Sequence, residues 1–403
     1  MKPLDKDESR LIEPIEQAAM LAHAERWSAI NSGTGNLAGL ARQADDLAEA
    51  FSSLPGEVEL REAAPASAVD AAGREIERRH GRHLVLSVRP DAGRRFLLTG
   101  HMDTVYPADD PFQSGNWIDA DTFNAPGAAD MKGGLAVILH ALLAFEESPA
   151  AASVGYDVLV NSDEETGSLS SAALIAELAR GKAAALTYEP SALPDGTLAH
   201  ARGGSGNYSL VVTGRSAHAG RNPHEGRNAI VAAAALALEL KALEHGDLTV
   251  NPAKIDGGSA NNVVPDHAVL RFNIRPKTGE AAVAFERSLN ALVRTIEADQ
   301  GVAVRLHGGI SRPPKPVDDR AQQLFDLVAD TSAALGLPVG WQASGGVCDG
   351  NNIAACGVPV VDTMGVRGGA IHSPDEYLVV SSLAERAALS AVVLHRLATG
   401  GWA

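Results

Sequence analysis

Five short stretches of this sequence carry side chains that hold cations or move protons. They are His101-Met102-Asp103, Asp130-Met131-Lys132, Asp163-Glu164-Glu165, Glu189-Pro190 and His372 in Gly368-Gly369-Ala370-Ile371-His372. Each falls where an apolar run gives way to a polar or Gly-rich loop. Imidazole nitrogens with carboxylate oxygens are the donors that zinc-like ions take. Together the stretches supply enough of both for a two-metal hydrolytic site.

Taken singly, each stretch has a plainer reading. Phe96-Leu97-Leu98-Thr99-Gly100 reads as a buried strand that delivers His101 at its carboxyl end, where open α/β sheets form sites. Asp103, two residues on, is placed to receive the imidazole N–H and fix its tautomer, but a lone His-x-Asp is equally a structural pair. Asp130 follows Pro126-Gly127-Ala128-Ala129 and precedes an apolar helix, so it reads as a ligand or as a helix N-cap. Glu164 and Glu165 are the sharpest signal, because adjacent carboxylates repel unless a cation or shared proton offsets them. A solvated acidic loop is the alternative there. His372 alone reads equally as a buried loop histidine.

The elements that position these residues alternate. Two helices around a turn at 31–36 are expected from Arg10 to Leu54. Apolar runs at 83–88, 95–99, 156–161 and 184–188, with helices from 133 to 145 and up to 179, imply a mostly parallel α/β sheet with helices on both faces. The character changes at Arg202-Gly203-Gly204-Ser205-Gly206. From there the order is strand, helix, strand, strand, helix, strand, the βαββαβ of a ferredoxin-like sandwich. Arg312-Pro313-Pro314-Lys315-Pro316 marks the return. The expectation is a catalytic domain of residues 1–203 and 314–403, interrupted by an inserted α+β domain of 204–313. The flexible stretches near Gly203 and Pro313 read as hinges.

The 403 residues are enough for two domains with cores of their own. A net charge of −16 repels phosphate backbones and anionic bilayers, so neither nucleic acid nor membrane is an expected partner. The N-terminal residues lack an apolar signal-peptide region and no run of about 18 apolar residues occurs, so a cytoplasmic location is expected. Two cysteines, Cys348 and Cys356, do not make a disulfide framework.

Read in order along the chain, His-x-Asp, Gly-x-x-Asp-x-Lys, Asp-Glu-Glu, Glu-Pro and His resemble the M20 family of zinc-dependent peptidases and deacylases. The nearer likeness is to the glutamate carboxypeptidase and acetylornithine or succinyl-diaminopimelate deacylase branch. Glu189 supports that branch, since related branches carry Asp or His there. The resemblance implies two Zn2+ per subunit, with Co2+ or Mn2+ as substitutes. It implies that His101 and Glu189 hold one ion, Glu165 and His372 the other, and that Asp130 bridges them. It implies Glu164 as general base, Asp103 as the partner of His101, and no Ser or Cys nucleophile. His218, in Gly214-Arg215-Ser216-Ala217-His218-Ala219-Gly220, is implied to reach a partner subunit's active site and steady an oxyanion, hence a homodimer.

Asn262 and Arg275 match substrate-binding positions of the carboxypeptidase branch, and Gly368 and Gly369 are candidates for the same role. Arginine's planar fork suits a free carboxylate. An ion-paired arginine on a surface strand is the alternative for Arg275, and Arg271 shares its strand face. The expected substrate is a small N-acyl amino acid or short peptide, cut at an amide next to a free carboxylate. A deacylase of N-acetyl or N-succinyl diamino acids is the nearest alternative, and a metal-free binding protein on the same fold is the alternative of another class. Glutamate carboxypeptidases carry a lysine shortly after Glu-Pro, but Ser191 to Leu198 holds no basic residue. A neutral or apolar C-terminal residue is therefore as acceptable as glutamate.

Overall fold

A computed structural model of the chain describes residues 3–400. These divide into two units, residues 79–201 and 317–400 with the N-terminal stretch up to Ala64, and residues 202–316 with Pro65–Arg78.

The first unit is built on a six-stranded sheet in the order Glu57–Arg61, His83–Val88, Gly155–Asn161, Arg95–His101, Ala184–Thr187, Val360–Asp362. The last four strands are mutually parallel; His83–Val88 runs antiparallel to them, and Glu57–Arg61 pairs antiparallel with it at the edge. Gly155–Asn161 and Ala184–Thr187 are buried at every position, as a sheet covered on both faces requires. The helix Gly133–Glu146 is apolar nearly all round and correspondingly buried. Ala128–Glu146 is long and apolar enough to cross a membrane, but 89% of it is buried within the fold, which marks it as core.

Parallel register sets the site. His101 lies opposite Asn161, and Thr99 opposite Thr187. Three adjacent strands thus end at one level, and the next residues along each are the candidate ligands. Two glycines let the layers close up there. A Cβ at Gly100 would stand 2.7 Å from both Met131 Cε and Leu135 Cδ2, and one at Gly134 would stand 2.2 Å from the Tyr188 carbonyl oxygen. At Gly134 the close atom is main chain, so a larger residue there would force the helix off the Tyr188 strand end, whereas at Gly100 the side-chain ends of Met131 and Leu135 would have to move.

The second unit has a four-stranded antiparallel sheet in the order Leu248–Gly257, His267–Pro276, Ser205–Thr213, Ala303–Arg312. The helices Ala229–Ala242 and Gly279–Gln300 complete the βαββαβ order. Arg202 and Lys315 exchange main-chain hydrogen bonds of 3.0 and 2.9 Å, so the two crossing segments pair with each other within this unit.

Some expectations differ from the structure. The stretch 10–54 opens inside an additional short helix, Lys6–Ile12, ahead of Gln17–Ser28 and Leu37–Phe51. The strand Glu57–Arg61 and the hairpin Ala66–Val69/Glu75–Arg78 had no counterpart in the sequence reading. That hairpin lies far from residue 202 in sequence, yet packs with the second unit. Arg271 donates to the carbonyls of Val69 and Asp70 at 3.0 and 2.9 Å, and Arg305 to that of Gly73 at 2.6 Å. Its second strand is exposed throughout and charged apart from Ile76, so no buried hydrophobic pattern announces it. Neither Cys348 nor Cys356 is in a disulfide.

Candidate metal centre

His101, Asp130 and Glu165 offer ligand atoms that all lie within 4.8 Å of one another, and so do His101, Glu164 and Glu189. Asp130 stands at the middle. Its Oδ1 is 3.1 Å from His101 Nε2 and its Oδ2 is 3.3 Å from His372 Nε2. His101 Nε2 also faces Glu189 Oε2 at 3.7 Å, while His372 Nε2 faces Glu165 Oε2 at 3.3 Å. The five residues thus fall into two half-sites that share one carboxylate. His101 is fully enclosed, whereas the His372 side chain is half exposed, which gives the cluster an inner and an outer face.

Electrostatics follows from this packing. Burial opposes a charged His101, but Glu189, Asp103 and Asp130 outweigh it and hold the imidazole well above its ordinary pKa. Hydrogen bonds to Asp130 and Glu165 push His372 to about 10. Burial and then the neighbouring Asp130 raise Glu165 to about 7. For Asp130, burial acts upward, yet His101 and His372 together keep it far below the carboxylate range. The ion-pair partners of Asp130 and Glu165 are these two histidines, so protons on the rings supply the balancing positive charge. A bound cation does the same with both rings neutral. Two imidazoles and four carboxylates at this spacing therefore fit a metal.

Asp103 proves to be a loop anchor as much as a histidine partner. His101 Nδ1 is nearer the Asp103 carbonyl, at 2.9 Å, than its carboxylate, at 3.4 Å. The carboxylate accepts the main-chain N–H of Glu164 at 3.1 Å and of Glu165 at 3.3 Å, and the Thr34 hydroxyl at 2.7 Å. Asp163 ties down the same loop from the other side, accepting from the hydroxyls of Ser170 and Ser171 at 2.9 and 2.7 Å.

Glu376 was not singled out by the sequence reading. It is wholly buried. Its Oε1 accepts from the N–H groups of Ala129 and Asp130, both at 3.0 Å, and its Oε2 from Gly127 N–H at 3.2 Å and the Tyr106 hydroxyl at 2.7 Å. Burial, then Asp130, raises its pKa to about 7. It follows His372 in the same Pro-containing loop, and that position was its only signal in the sequence.

Gly368 and Gly369 form a short strand paired with Tyr377–Val379 in this same unit. The other candidates belong to the second unit. His218 pairs with Val263, and the Ala219 N–H donates to the Asn262 carbonyl at 2.9 Å, so His218 and Asn262 are neighbours. Arg275 lies towards the far end of the His267–Pro276 strand, exposed, with its Nε 3.0 Å from Asn273 Oδ1. Arg271 is instead held by Asp256 and the hairpin carbonyls.

Comparison with known proteins agrees with this geometry. The model of peptidase family M20/M25/M40 matches residues 97–396. Carboxypeptidase G2 of a Pseudomonas species is 30% identical over 396 residues, which cover 96% of this chain and 91% of that protein. A succinyl-diaminopimelate desuccinylase of Xanthomonas oryzae is 29% identical over 322 residues, covering 75% and 83%. A Staphylococcus aureus tripeptidase superposes with a TM-score of 0.73 at 24% identity, covering 96% of this chain and 99% of that one. An M20 family metallo-carboxypeptidase from Sulfolobus solfataricus does so with 0.69 at 16%, covering 98% and 100%. These two structures bear on the fold alone. The family match over most of the chain, with the histidine and carboxylate cluster inside it, makes this chain a metallohydrolase that belongs to peptidase family M20/M25/M40.

Proposed function

We propose that the protein is a di-zinc hydrolase that cleaves an amide bond next to a free carboxylate, as a carboxypeptidase or N-acyl-amino-acid hydrolase. The observation that carries this reading is the two-sided use of Asp130, one oxygen towards His101 and the other towards His372. His101 and Glu189 would hold one ion, Glu165 and His372 the other, with Asp130 shared. Mixed nitrogen and oxygen donors favour zinc, with cobalt or manganese as substitutes. Bound there, the ions would supply Lewis-acid polarisation of the scissile carbonyl and a more acidic attacking water.

The chain's own groups do the rest. Glu164 takes the proton from the attacking water and returns it to the leaving nitrogen. Asp103 holds the Glu164–Glu165 main chain and so aims both carboxylates. His218 steadies the developing oxyanion, and Asn262, Arg275, Gly368 and Gly369 hold the substrate, with the arginine fork on its carboxylate. The carboxypeptidase reading is placed ahead of the deacylase one because the similarity to carboxypeptidase G2 runs over 96% of the chain, against 75% for the desuccinylase. With no basic residue at 191–198, the site is not confined to a C-terminal glutamate and also admits a neutral or apolar terminal side chain.

We propose a homodimer. Helix Ala229–Ala242 leaves Val231 and Leu238 52% and 74% exposed at a spacing that puts them on one face, as an interface would need.

Turnover of a panel of N-acyl amino acids and dipeptides by wild type and Glu164→Gln tests the reading. A fall in kcat of about 100- to 10,000-fold is expected, with metal content unchanged. Undiminished turnover would remove Glu164 from the mechanism.

A further inference from the structure

The helix Ser381–Ala398 carries a buried cation that the hydrolytic site does not use. Arg386 is 3% exposed. Its Nη2 donates to the Gly196 carbonyl at 2.8 Å, while its enclosed Nη1 has no hydrogen-bond acceptor. No carboxylate lies within ion-pair distance of its guanidinium among the described residues. The neighbouring Arg367 is paired instead, with its Nε and Nη2 on the Glu385 carboxylate at 3.1 and 3.0 Å. A guanidinium enclosed without an anion is strongly disfavoured, because the charge loses its water and gains no partner. Burial pulls the Arg386 pKa down to about 10, which still leaves it charged near neutral pH.

Arg386 does not sit in packed core. It lines a cavity of about 250 Å³ bounded by Gly196, Leu337, Val339, Arg367 and Glu385. Asp195, at the exposed rim, spends its carboxylate on the Thr197 N–H at 2.9 Å. Within the wall Arg367 pairs with Glu385, and Asp195 stands off at the rim, so Arg386 is the wall's cation without an ion-pair partner. The volume is below the roughly 300–1,000 Å³ of pockets for drug-sized ligands. A small ion suits it.

We infer that this cavity is an anion site, taking a small oxyanion, a carboxylate or phosphate, against Arg386. An oxyanion is favoured over chloride because guanidinium donors form directional, charge-assisted bonds to its oxygens. The site is separate from the metal cluster, but its walls belong to the segments that carry Glu189 and His372. Those segments are joined at the Ser191 N–H, which donates to the Val366 carbonyl at 2.9 Å. An anion here would brace that junction.

The test is thermal unfolding of the zinc-loaded full chain, titrated with sodium acetate or sodium phosphate from 0.1 to 20 mM, with ionic strength held constant by sodium chloride. In wild type the midpoint is expected to rise by about 2 °C at ten times the half-saturating concentration. Whichever of the two salts acts at the lower concentration identifies the oxyanion. In Arg386→Met the rise is expected to vanish. Pro338→Glu, which puts a tethered carboxylate on the exposed rim while keeping Arg386, is expected to blunt it. No rise in wild type, or the same rise in wild type and Arg386→Met, would overturn the site. If Arg386→Met does not fold, an undiminished rise in Pro338→Glu would overturn it.

Discussion

Glu376 accepts the main-chain N–H of Asp130 at 3.0 Å through the same oxygen that takes the N–H of Ala129. The residue that joins the two half-sites is thus held by a buried carboxylate whose loop also delivers His372. Glu376→Ala leaves three buried N–H groups without acceptors. We expect a loss of about 10- to 100-fold in metal affinity, as for other partners behind metal ligands, with Glu376→Gln recovering part of it. Competition against a chelator of known affinity measures this; unchanged affinity in Glu376→Ala would make the contact purely structural.

Asp103 performs the same task for the Glu164–Glu165 loop. Asp103→Ala removes the acceptor of two main-chain N–H groups and the Thr34 hydroxyl. A stability loss of about 1–3 kcal/mol is expected, together with a fall in kcat. Denaturant unfolding and steady-state kinetics read the two effects, and a variant with full kcat would show that the loop needs no such anchor.

Gly134→Ala is a steric probe of the centre. Its Cβ would meet the Tyr188 carbonyl oxygen at 2.2 Å, so the Gly133–Glu146 helix must shift away from the strand that carries Glu189. An overpacking penalty of about 1–3 kcal/mol and weaker metal binding are expected. A variant as stable as wild type would mean that the layers yield more readily than their packing implies.

Away from the centre, His140 sets an acid limit on stability. Burial, then its neighbour His23 at 3.1 Å, lowers its pKa to about 4 from an ordinary value of about 6.5. Below pH 6.5 the unfolded chain takes up a proton that the folded chain refuses until about pH 4, so stability falls across that window. His23 is lowered too, by burial first, and acts with the same sign. Unfolding midpoints measured from pH 7 to 4 should decline less in His140→Gln than in wild type; parallel curves would assign the acid sensitivity elsewhere.

Much of the centre was legible because it lies at strand ends. His101, Glu165 and Glu189 each follow an apolar run, and parallel register then carries them to one level. Asp130 was ambiguous between ligand and helix cap. The structure places its side chain among the histidines, with its own N–H given to Glu376. Glu376 was illegible for a physical reason: an acidic residue in a Pro-containing loop looks solvated until the loop closes over it. The hairpin at 66–78 was hidden likewise, since its pairing with the second unit depends on Arg271 and Arg305, which sit more than 190 residues further along. Arg386 reads as one charge on an amphipathic helix, and its isolation appears only when the neighbouring Arg367 is seen to take Glu385.

The proposed centre holds two ions. Elemental analysis of the purified chain, before and after dialysis against a chelator and again after zinc is restored, addresses it directly. About two metal ions per chain are expected, lost together with hydrolysis of the panel and regained with it. A chain that binds no metal, with no hydrolysis restored by zinc or cobalt, would contradict the account and move the metal-free binding protein to the front.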